Sequence, residues 1–323
     1  MCPALTAGAV NLLPDIPTLI VSVAKAGHIN QCVAFCEQMG WPVAEQIAIP
    51  GPSRMHSGWR NRWQRFRRWV ALRKLQPRAR TAGRIRIVAS GTSSEPATAL
   101  YRRLYGRDLY AVCIGLPRAR EPIFDFAIAP NHALDDGAVA APAFYRGAKV
   151  TTWMLGVPVK PLPIGGRAGI GPTVALIGGT NKAFDLSADE LVPQLSAIAQ
   201  RAGQMAVVFS RRTPLDLEAR VRAGLSGATF VDRRDRAGFL KAAAEAARFT
   251  VTPDSITMTC EAFATGKPVT VLDLPCFDKD TSTYRFYAEL RALPEGEAGT
   301  VLNRAAEHAI AEARKDFQGW LAA

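Results

Sequence analysis

The sequence predicts an α/β protein with two Rossmann-like, doubly wound domains that face each other across a cleft. Its dominant pattern is a short apolar run followed by a helical pattern, repeated along most of the chain, and this alternation is typical of parallel sheets covered by helices. Several runs are continuously apolar, as in strands that are buried on both faces. A segment dense in Pro and Gly, residues 156–172, has no periodicity and separates the two halves of the chain.

The predicted elements alternate on both sides of this linker. Strands are predicted in the first half at 18–23, 84–90, 109–115, 124–130 and 149–155. In the second half they are predicted at 173–179, 205–210, 228–232, 248–254 and 268–274. Helices are predicted at 187–202, 215–224, 237–247, 255–265 and 282–293. We expect an N-terminal domain over 1–160, a C-terminal domain over 161–302, and a last segment, 303–323, whose helix returns to the N-terminal domain.

Length and composition exclude several classes of protein. With 323 residues, of which 48% are apolar and 21% charged, the chain fits two domains of a soluble globular protein. No run approaches the roughly 18 uncharged apolar residues of a membrane span, and the N-terminus lacks the basic region of a signal peptide. The six cysteines show no CxxC or Cys/His spacing, so we expect reduced core cysteines and no metal site. A cytoplasmic protein is expected.

The net positive charge is concentrated in one segment. Residues 54–86 hold twelve Lys or Arg and no acidic residue, which equals the net charge of +12. Within 58–74, aromatic and apolar side chains recur at helical spacing among the arginines, at Trp59, Trp63, Phe66 and Val70. This pattern predicts either a helix peripheral on an anionic membrane surface, such as the inner membrane, or a stripe that faces the first domain's core. We expect no nucleic-acid partner, because no recognised nucleic-acid module accompanies the charge.

The end of the strand at 248–254 carries the most informative residues, "TPDSITMTCEAFATGKP". Asp254 or Ser255 can cap the helix that follows, which leaves further amide N–H groups suited to a phosphate. On a helical wheel the core-sized stripe is Ile256, Cys260, Phe263 and Ala264, and the opposite polar side is Asp254, Thr257, Met258 and Glu261. Glu261 can accept hydrogen bonds from the vicinal hydroxyls of a sugar. The alternative is a capped helix with an exposed polar face.

Two further strand ends of the second domain offer anion donors. "GGTNK" (178–182) supplies a glycine backbone that a ligand can approach closely and one cation, through Gly178, Gly179, Thr180, Asn181 and Lys182. "SRRTP" (210–214) supplies hydroxyls and forked guanidinium donors suited to a pyrophosphate, through Ser210, Arg211, Arg212 and Thr213. Either loop alone can be a solvated turn. The agreement of the three loops predicts a phosphate-containing ligand.

"KAGHINQ" is the counterpart in the first domain. Gly27 allows a tight turn, and His28 at the start of a helix is a candidate general base facing the cleft. Asn30 and Gln31 follow on the same helix as candidate acceptor-side residues. The alternative is that His28 is a capping or packing residue.

These four motifs, in this order, resemble the mitochondrial fission factor-like (ELM1-type) family, and the resemblance covers nearly the whole chain. The family is similar to GT-B glycosyltransferases, which implies that the C-terminal domain binds a nucleotide-sugar. It also implies that the glycine-histidine turn faces the acceptor and that Glu261 holds the ribose hydroxyls. Relatives tend to carry a basic "GRR"-like turn after the strand at 85–90, where this chain has "SGTSSEP" (90–96).

The function predicted from residues and resemblance together is a metal-independent glycosyltransferase. The nucleotide-sugar is its substrate, no cofactor is expected, and the acceptor is membrane-associated or lipid-linked. Lys182, Arg211 and Arg212 would neutralise the leaving group. Epimerase chemistry is not expected, because the glycine fingerprint for a tightly held nicotinamide cofactor is missing. The alternative is a non-catalytic scaffold of the same fold that attaches to a membrane and recruits partners.

Overall fold

A computed structural model of the chain describes residues 16–49, 83–134, 143–153, 155–165 and 170–323. Two separate sheets form, each with helices packed on it, and this confirms the predicted fold class. Most of the basic segment, including Trp59, Trp63, Phe66 and Val70, lies outside the described residues.

The first sheet contains seven strands within the described residues, in the order β2-β1-β3-β4-β5-β7-β6. All neighbours are parallel except β6 and β7. The strands are β1 (Thr18–Val23), β2 (Val43–Ile49), β3 (Ile85–Ser90), β4 (Leu109–Ile114), β5 (Phe126–Pro130), β6 (Phe144–Tyr145) and β7 (Ala148–Trp153). Every residue of β1, β3 and β4 is buried, as the continuous apolar runs predict. The helices α1 (Ala26–Met39) and α2 (Glu95–Tyr105) pack against this sheet.

The second sheet has the order β10-β9-β8-β11-β12 and is wholly parallel within the described residues. Its strands are β8 (Thr173–Ile177), β9 (Met205–Phe209), β10 (Thr229–Val231), β11 (Arg248–Val251) and β12 (Val269–Val271). The helices that follow in the chain are α3 (Ala188–Ala202), α4 (Leu215–Gly224), α5 (Arg236–Glu245), α6 (Ile256–Phe263), α7 (Ser282–Arg291) and α8 (Ala298–Ala322). The order reverses direction between β8 and β11, so the carboxyl ends of these two strands flank a switch point.

The C-terminal part of the linker is held against the second domain. Residues 156–165 and 170–172 form no helix or strand, yet Leu162 is 7% exposed and packs in the core beneath β8 and β11. The backbone N–H of Gly165 donates to the carbonyl of Ala244, at 3.0 Å. A Cβ on Gly171 would lie 2.1 Å from the carbonyl oxygen of Glu245, so only glycine fits there.

The last helix connects both domains. It begins at Ala298, five residues before the predicted start, and its buried side chains are Leu302, Ala305, Ala309, Ile310, Ala313 and Phe317. Leu302 packs beside the second domain's α6 and α7, whereas Phe317 lies 4.8 Å from Trp41 and 5.1 Å from Tyr110, measured between ring centroids. Trp320 donates its Nε1–H to the carbonyl of Arg107, at 3.0 Å. The C-terminal half of α8 therefore covers the first sheet.

Two arginines of the predicted basic segment belong to this same contact. Arg86, on β3, is 2% exposed, and its guanidinium lies 4.8 Å from the ring of Trp41. Arg84 donates to the carbonyl of Leu321, at 2.9 Å. These two cations stabilise the packing of α8 on the first sheet. Within the described residues, no helix has the length and hydropathy that crossing a bilayer requires.

Candidate functional site

The carboxyl ends of the two sheets face each other. The helix α1 follows β1 in the first domain, and α6 follows β11 in the second. A Cβ placed on Gly27 would lie 3.8 Å from the Oγ1 of Thr257, so the first turns of α1 and α6 approach each other across the interdomain cleft. Ligands of open α/β sheets bind at this edge, and the structure brings the "KAGHINQ" turn and the start of α6 together there.

His28 lies half-buried in the first turn of α1. Its Nδ1 is 2.8 Å from the Oγ of Ser90, which ends β3 and is 1% exposed. Burial, together with the nearby charge of Lys25, lowers the pKa of His28 below its ordinary value of 6.5, so the imidazole is neutral at neutral pH. Within the described residues, no group hydrogen-bonds to its Nε2. Asn30 is exposed and Gln31 half-buried on the same helix.

The buried side chain of Asp254 connects the loops that follow β8, β9 and β11 in the second domain. Its carboxylate accepts hydrogen bonds from the backbone N–H of Gly179, at 3.0 Å, and from the hydroxyl of Thr252, at 2.6 Å. It also pairs with Arg212, at 2.8 Å. Asp254 is 4% exposed, so it is enclosed by these loops, whereas the helical wheel places it on the polar side of the helix. Burial raises its pKa above the ordinary value, while these hydrogen bonds and Arg212 act in the opposite direction.

The two glycines of the "GGTNK" loop make room for this arrangement. A Cβ on Gly178 would lie 2.1 Å from the Oδ1 of Asp254, and one on Gly179 would lie 2.4 Å from the carbonyl oxygen of Arg212. The glycines are therefore required by the close approach of neighbouring protein atoms. The sequence motif predicted the need for glycine but assigned it to the approach of a ligand.

Several other predicted residues of these loops are occupied by hydrogen bonds within the protein. The Oδ1 of Asn181 accepts from the backbone N–H groups of Ala183 and Phe184, at 2.7 and 2.8 Å. Thr213 is 3% exposed and donates to the carbonyl of Ile177, at 3.1 Å. The Oγ of Ser210 accepts from the backbone N–H of Arg212, at 3.1 Å.

Two cations of the same loops remain available to a ligand. Lys182 and Arg211 are exposed, and neither has an ion pair or hydrogen bond with another described residue. Thr180 is exposed as well and donates to Asp185, at 2.8 Å. Arg212 has half of its side chain exposed, although its guanidinium is paired with Asp254.

The start of α6 is capped as predicted. The Oγ of Ser255 accepts from the backbone N–H of Met258, at 3.5 Å. The amides of Ile256 and Thr257, in the same first turn, have no acceptor within the described part of the chain. Met258 is half-buried, and its side chain packs against the core beneath β8 and β11. It therefore contributes to the interior of the second domain.

Glu261 lies two turns into α6 and is half-buried. No described residue hydrogen-bonds to its carboxyl group or forms an ion pair with it. Burial alone raises the pKa of Glu261 from 4.5 to about 7. A carboxyl group that is partly desolvated and has no protein partner is a strong acceptor for a ligand's hydroxyl groups, and such groups concentrate at functional sites.

A second contact between the domains joins the end of β5 to α7. Asn131 donates its Nδ2–H to the Oε1 of Glu289, at 3.0 Å, and Arg285 donates to the carbonyl of His132, at 3.1 Å. His132 is 4% exposed, and burial lowers its pKa to about 4. Sequence reasoning did not identify these residues. The available signal was the polar pair "NH" directly after the apolar strand "FDFAIAP".

A cavity of about 570 Å³ lies beside the exit of β12 and contains none of the predicted site residues. It is lined by both charged and aromatic side chains, including Asp273, Lys279, Tyr284, Tyr287 and Arg291. Asp273 is already paired with Arg291, at 2.6 Å. The adjacent sequence "DKD" (278–280) forms a local turn, in which the side chain of Asp278 accepts a hydrogen bond from the backbone N–H of Asp280, at 3.1 Å. Within the described residues, no group of three or more His, Cys, Asp or Glu is placed to hold a metal ion.

Comparison with known proteins identifies both the family and the fold. A family model described as "Mitochondrial fission ELM1" matches residues 26–159 and 167–318. Among solved structures, a "putative UDP-N-acetylglucosamine 2-epimerase" from Listeria monocytogenes aligns over 94% of this chain and 97% of its own, with 12% identity and a TM-score of 0.53. CalG4, the calicheamicin glycosyltransferase, aligns over 95% of this chain and 98% of its own, with 11% identity and a TM-score of 0.50. No curated protein matches the chain. The architecture is thus a GT-B glycosyltransferase-like fold.

Proposed function

The chain belongs to the mitochondrial fission ELM1 family, and from this membership and its GT-B fold we propose that it is a glycosyltransferase that uses a nucleotide-sugar donor. The donor binds the second domain at the carboxyl edge of its sheet. The acceptor hydroxyl approaches from the first domain, beside His28. No metal takes part in the proposed reaction, because protein groups neutralise the leaving diphosphate.

The observation that carries this proposal is Glu261. Its half-buried carboxyl group has no hydrogen-bond donor among the described residues, and burial has raised its pKa to about 7. A folded protein gains no stability from such a group, whereas a ligand that supplies hydroxyl groups would satisfy it. We propose that Glu261 accepts hydrogen bonds from the ribose hydroxyls of the nucleotide.

The diphosphate is assigned to the start of the same helix. The first-turn amides of Ile256 and Thr257 and the dipole of α6 favour an anion at this point. Lys182 and Arg211, which are exposed and unpaired within the described residues, add two positive charges. Gly178, Gly179, Asn181, Ser210, Thr213 and Asp254 then act on the donor indirectly, by holding the three loops in register.

The proposed chemistry needs one proton acceptor. The acceptor oxygen attacks the anomeric carbon of the donor sugar, and the bond from that carbon to the diphosphate oxygen breaks. The Nε2 of His28 takes the acceptor's proton, and the nucleoside diphosphate leaves with the bonding electron pair. A neutral histidine is required for this step, and the lowered pKa of His28 supplies it.

A panel of nucleotide-sugars tests the proposal by thermal unfolding. A donor present at 100 times its Kd should stabilise the folded protein by about 2.7 kcal/mol. The replacement Glu261→Gln keeps the shape and removes the charged acceptor, so it should weaken binding by roughly ten- to a hundredfold. The matched control is Glu307→Gln, at an exposed position of α8. Equal binding by Glu261→Gln and the parent would remove Glu261 from the donor site.

The runner-up is a non-catalytic scaffold of the same fold that attaches to an anionic membrane and recruits partners. One observation favours it: the pairing of Arg212 with the buried Asp254 reduces the positive charge offered to a diphosphate. In addition, the cavity beside β12 contains none of the predicted site residues. A full panel of nucleotide-sugars with no thermal shift, together with binding to anionic vesicles, would support the scaffold over the enzyme.

A further inference from the structure

The end of β3 supplies a partner for His28 that the sequence motifs did not suggest. Ser22, Ser90 and Ile114 lie side by side on the neighbouring strands β1, β3 and β4. The Oγ of Ser90 donates a hydrogen bond to the carbonyl of Ile114, at 3.3 Å, and lies 2.8 Å from the Nδ1 of His28. A Cβ on Gly91 would lie 3.8 Å from the Cε1 of His28, so the turn after β3 packs along the imidazole.

A hydroxyl has one proton and two lone pairs. If Ser90 donates that proton to Ile114, its oxygen can only accept from His28, and the Nδ1 must then carry the ring proton. If Ser90 donated to the Nδ1 instead, the carbonyl of Ile114 would lose its bond from this buried hydroxyl. Both contacts of Ser90 are satisfied together in one tautomer alone, the one with the proton on Nδ1.

We propose that Ser90 is a positioning residue that holds His28 in the Nδ1–H tautomer and so leaves the lone pair of Nε2 available at the cleft. The orientation of a histidine is commonly set by the hydrogen bond made by its other ring nitrogen. The significance of this bond for catalysis rests on the proposed transferase function, whereas the bond and the tautomer do not.

The nature of this partner has a chemical consequence. A carboxylate in the place of Ser90 would fix the same tautomer and would also stabilise the imidazolium formed when the proton is taken up. A hydroxyl fixes the tautomer without adding a negative charge, so it does not raise the pKa of His28. Ser90, the first residue of the "SGTSSEP" turn, therefore provides a neutral partner for His28.

The tautomer can be measured directly on the ligand-free protein. In the ¹⁵N-labelled full chain, long-range ¹H–¹⁵N correlation spectra distinguish a protonated from an unprotonated Nδ1, and the His28→Gln variant identifies the signals of His28 by their loss. We expect the parent to show the Nδ1–H form. The Ser90→Ala variant should shift most of the population to the Nε2–H form that free imidazoles prefer, with the backbone amide spectrum preserved.

Ser94→Ala is the matched control. Ser94 is 1% exposed in the same turn, and its hydroxyl donates to the carbonyl of Gly91, at 2.6 Å, without contacting His28. This variant should leave the tautomer of His28 unchanged. An Nε2–H form in the parent would overturn the proposal without any variant, and so would an unchanged tautomer in a folded Ser90→Ala. Because no nucleotide-sugar is used, neither outcome depends on whether the protein is a transferase.

Discussion

Glu261 carries a carboxyl group at a position where burial disfavours its charged form. Its folded pKa, about 7, lies above the unfolded value of 4.5, so the folded state binds the proton more tightly than the unfolded state does. Below about pH 4.5 the carboxyl group is protonated in both states and does not lower the free energy of unfolding. Above about pH 7 it lowers the free energy of unfolding by its full amount. Because the side chain is only half-buried, solvent screens part of this effect, and we expect a loss of roughly 2 to 3 kcal/mol in the free energy of unfolding.

Glu261→Gln should therefore be more stable than the parent at pH 8, by roughly 2 to 3 kcal/mol, and the difference should shrink as the pH falls toward 5. Urea unfolding at both pH values measures it, with Glu307→Gln as the exposed control. Combined with weaker donor binding, this gain would show that the carboxyl group is kept for function at a cost in stability. A variant that is less stable than the parent at pH 8 would assign Glu261 a structural role.

Asp254 is the opposite case, a buried carboxylate whose hydrogen bonds are made within the protein. Its replacement by Ala removes the acceptor for Gly179 and Thr252 and leaves Arg212 without its partner. We expect a loss of about 3 to 5 kcal/mol in the free energy of unfolding. Asp185→Ala is the control, because its single bond to Thr180 is exposed and should contribute about 1 kcal/mol or less. Equal losses in the two variants would contradict the central role of Asp254.

At the scale of elements, apolar runs predicted strands well where both faces are covered. β1 begins and ends where the sequence places it, and β8, β9 and β11 begin where predicted. The sequence reasoning missed β2, whose burial alternates along an edge strand, because a half-exposed strand has no continuous apolar run. Side-chain direction was harder to predict. Met258 turns inward, Asp254 is enclosed and Ser90 meets His28, since each depends on a loop distant in the chain.

The aromatic stripe of the basic segment stays a prediction, because it lies outside the described residues. Replacement of Trp59, Trp63 and Phe66 by Ser should weaken binding to phosphatidylglycerol vesicles by roughly tenfold or more, since each aromatic side chain contributes apolar burial at the membrane interface. All arginines remain in this variant, and phosphatidylcholine vesicles provide the neutral control. If the variant loses its cooperative thermal unfolding instead, the stripe belongs to the first domain's core.

For the whole molecule, the two sheets have separate cores that meet in one small cluster. This junction contains Leu155, Val157, Cys260, Phe286, Leu290 and Leu302. It brings together the linker and the three helices α6, α7 and α8, so it connects the helix that carries Glu261 with the helix that covers the first sheet. Because α6 both lines the cleft and packs in the junction, donor binding at α6 should be transmitted to the stability of the first domain.

Gly156, where the chain leaves the first sheet, tests that coupling. Its φ is +83°, and a Cβ there would lie 2.7 Å from both the Sγ of Cys260 and the Cδ2 of Leu302. Gly156→Ala should cost about 2 to 4 kcal/mol, from backbone strain and from displacement of α6 and α8. Gly203→Ala is the matched control, since Gly203 has a φ of +79° with no atom within 4 Å of the added Cβ. This variant should lose only the stability that backbone strain removes.

Calorimetry distinguishes a local cost from a loss of coupling between the domains. The parent and Gly203→Ala should unfold in one transition, because the junction and α8 join the two cores. Gly156→Ala should unfold in two transitions, and a nucleotide-sugar should then raise only that of the second domain, where α6 lies. A single transition in Gly156→Ala, shifted as a whole by the ligand, would mean that α8 alone is sufficient to couple the domains and that the junction at Gly156 is not required.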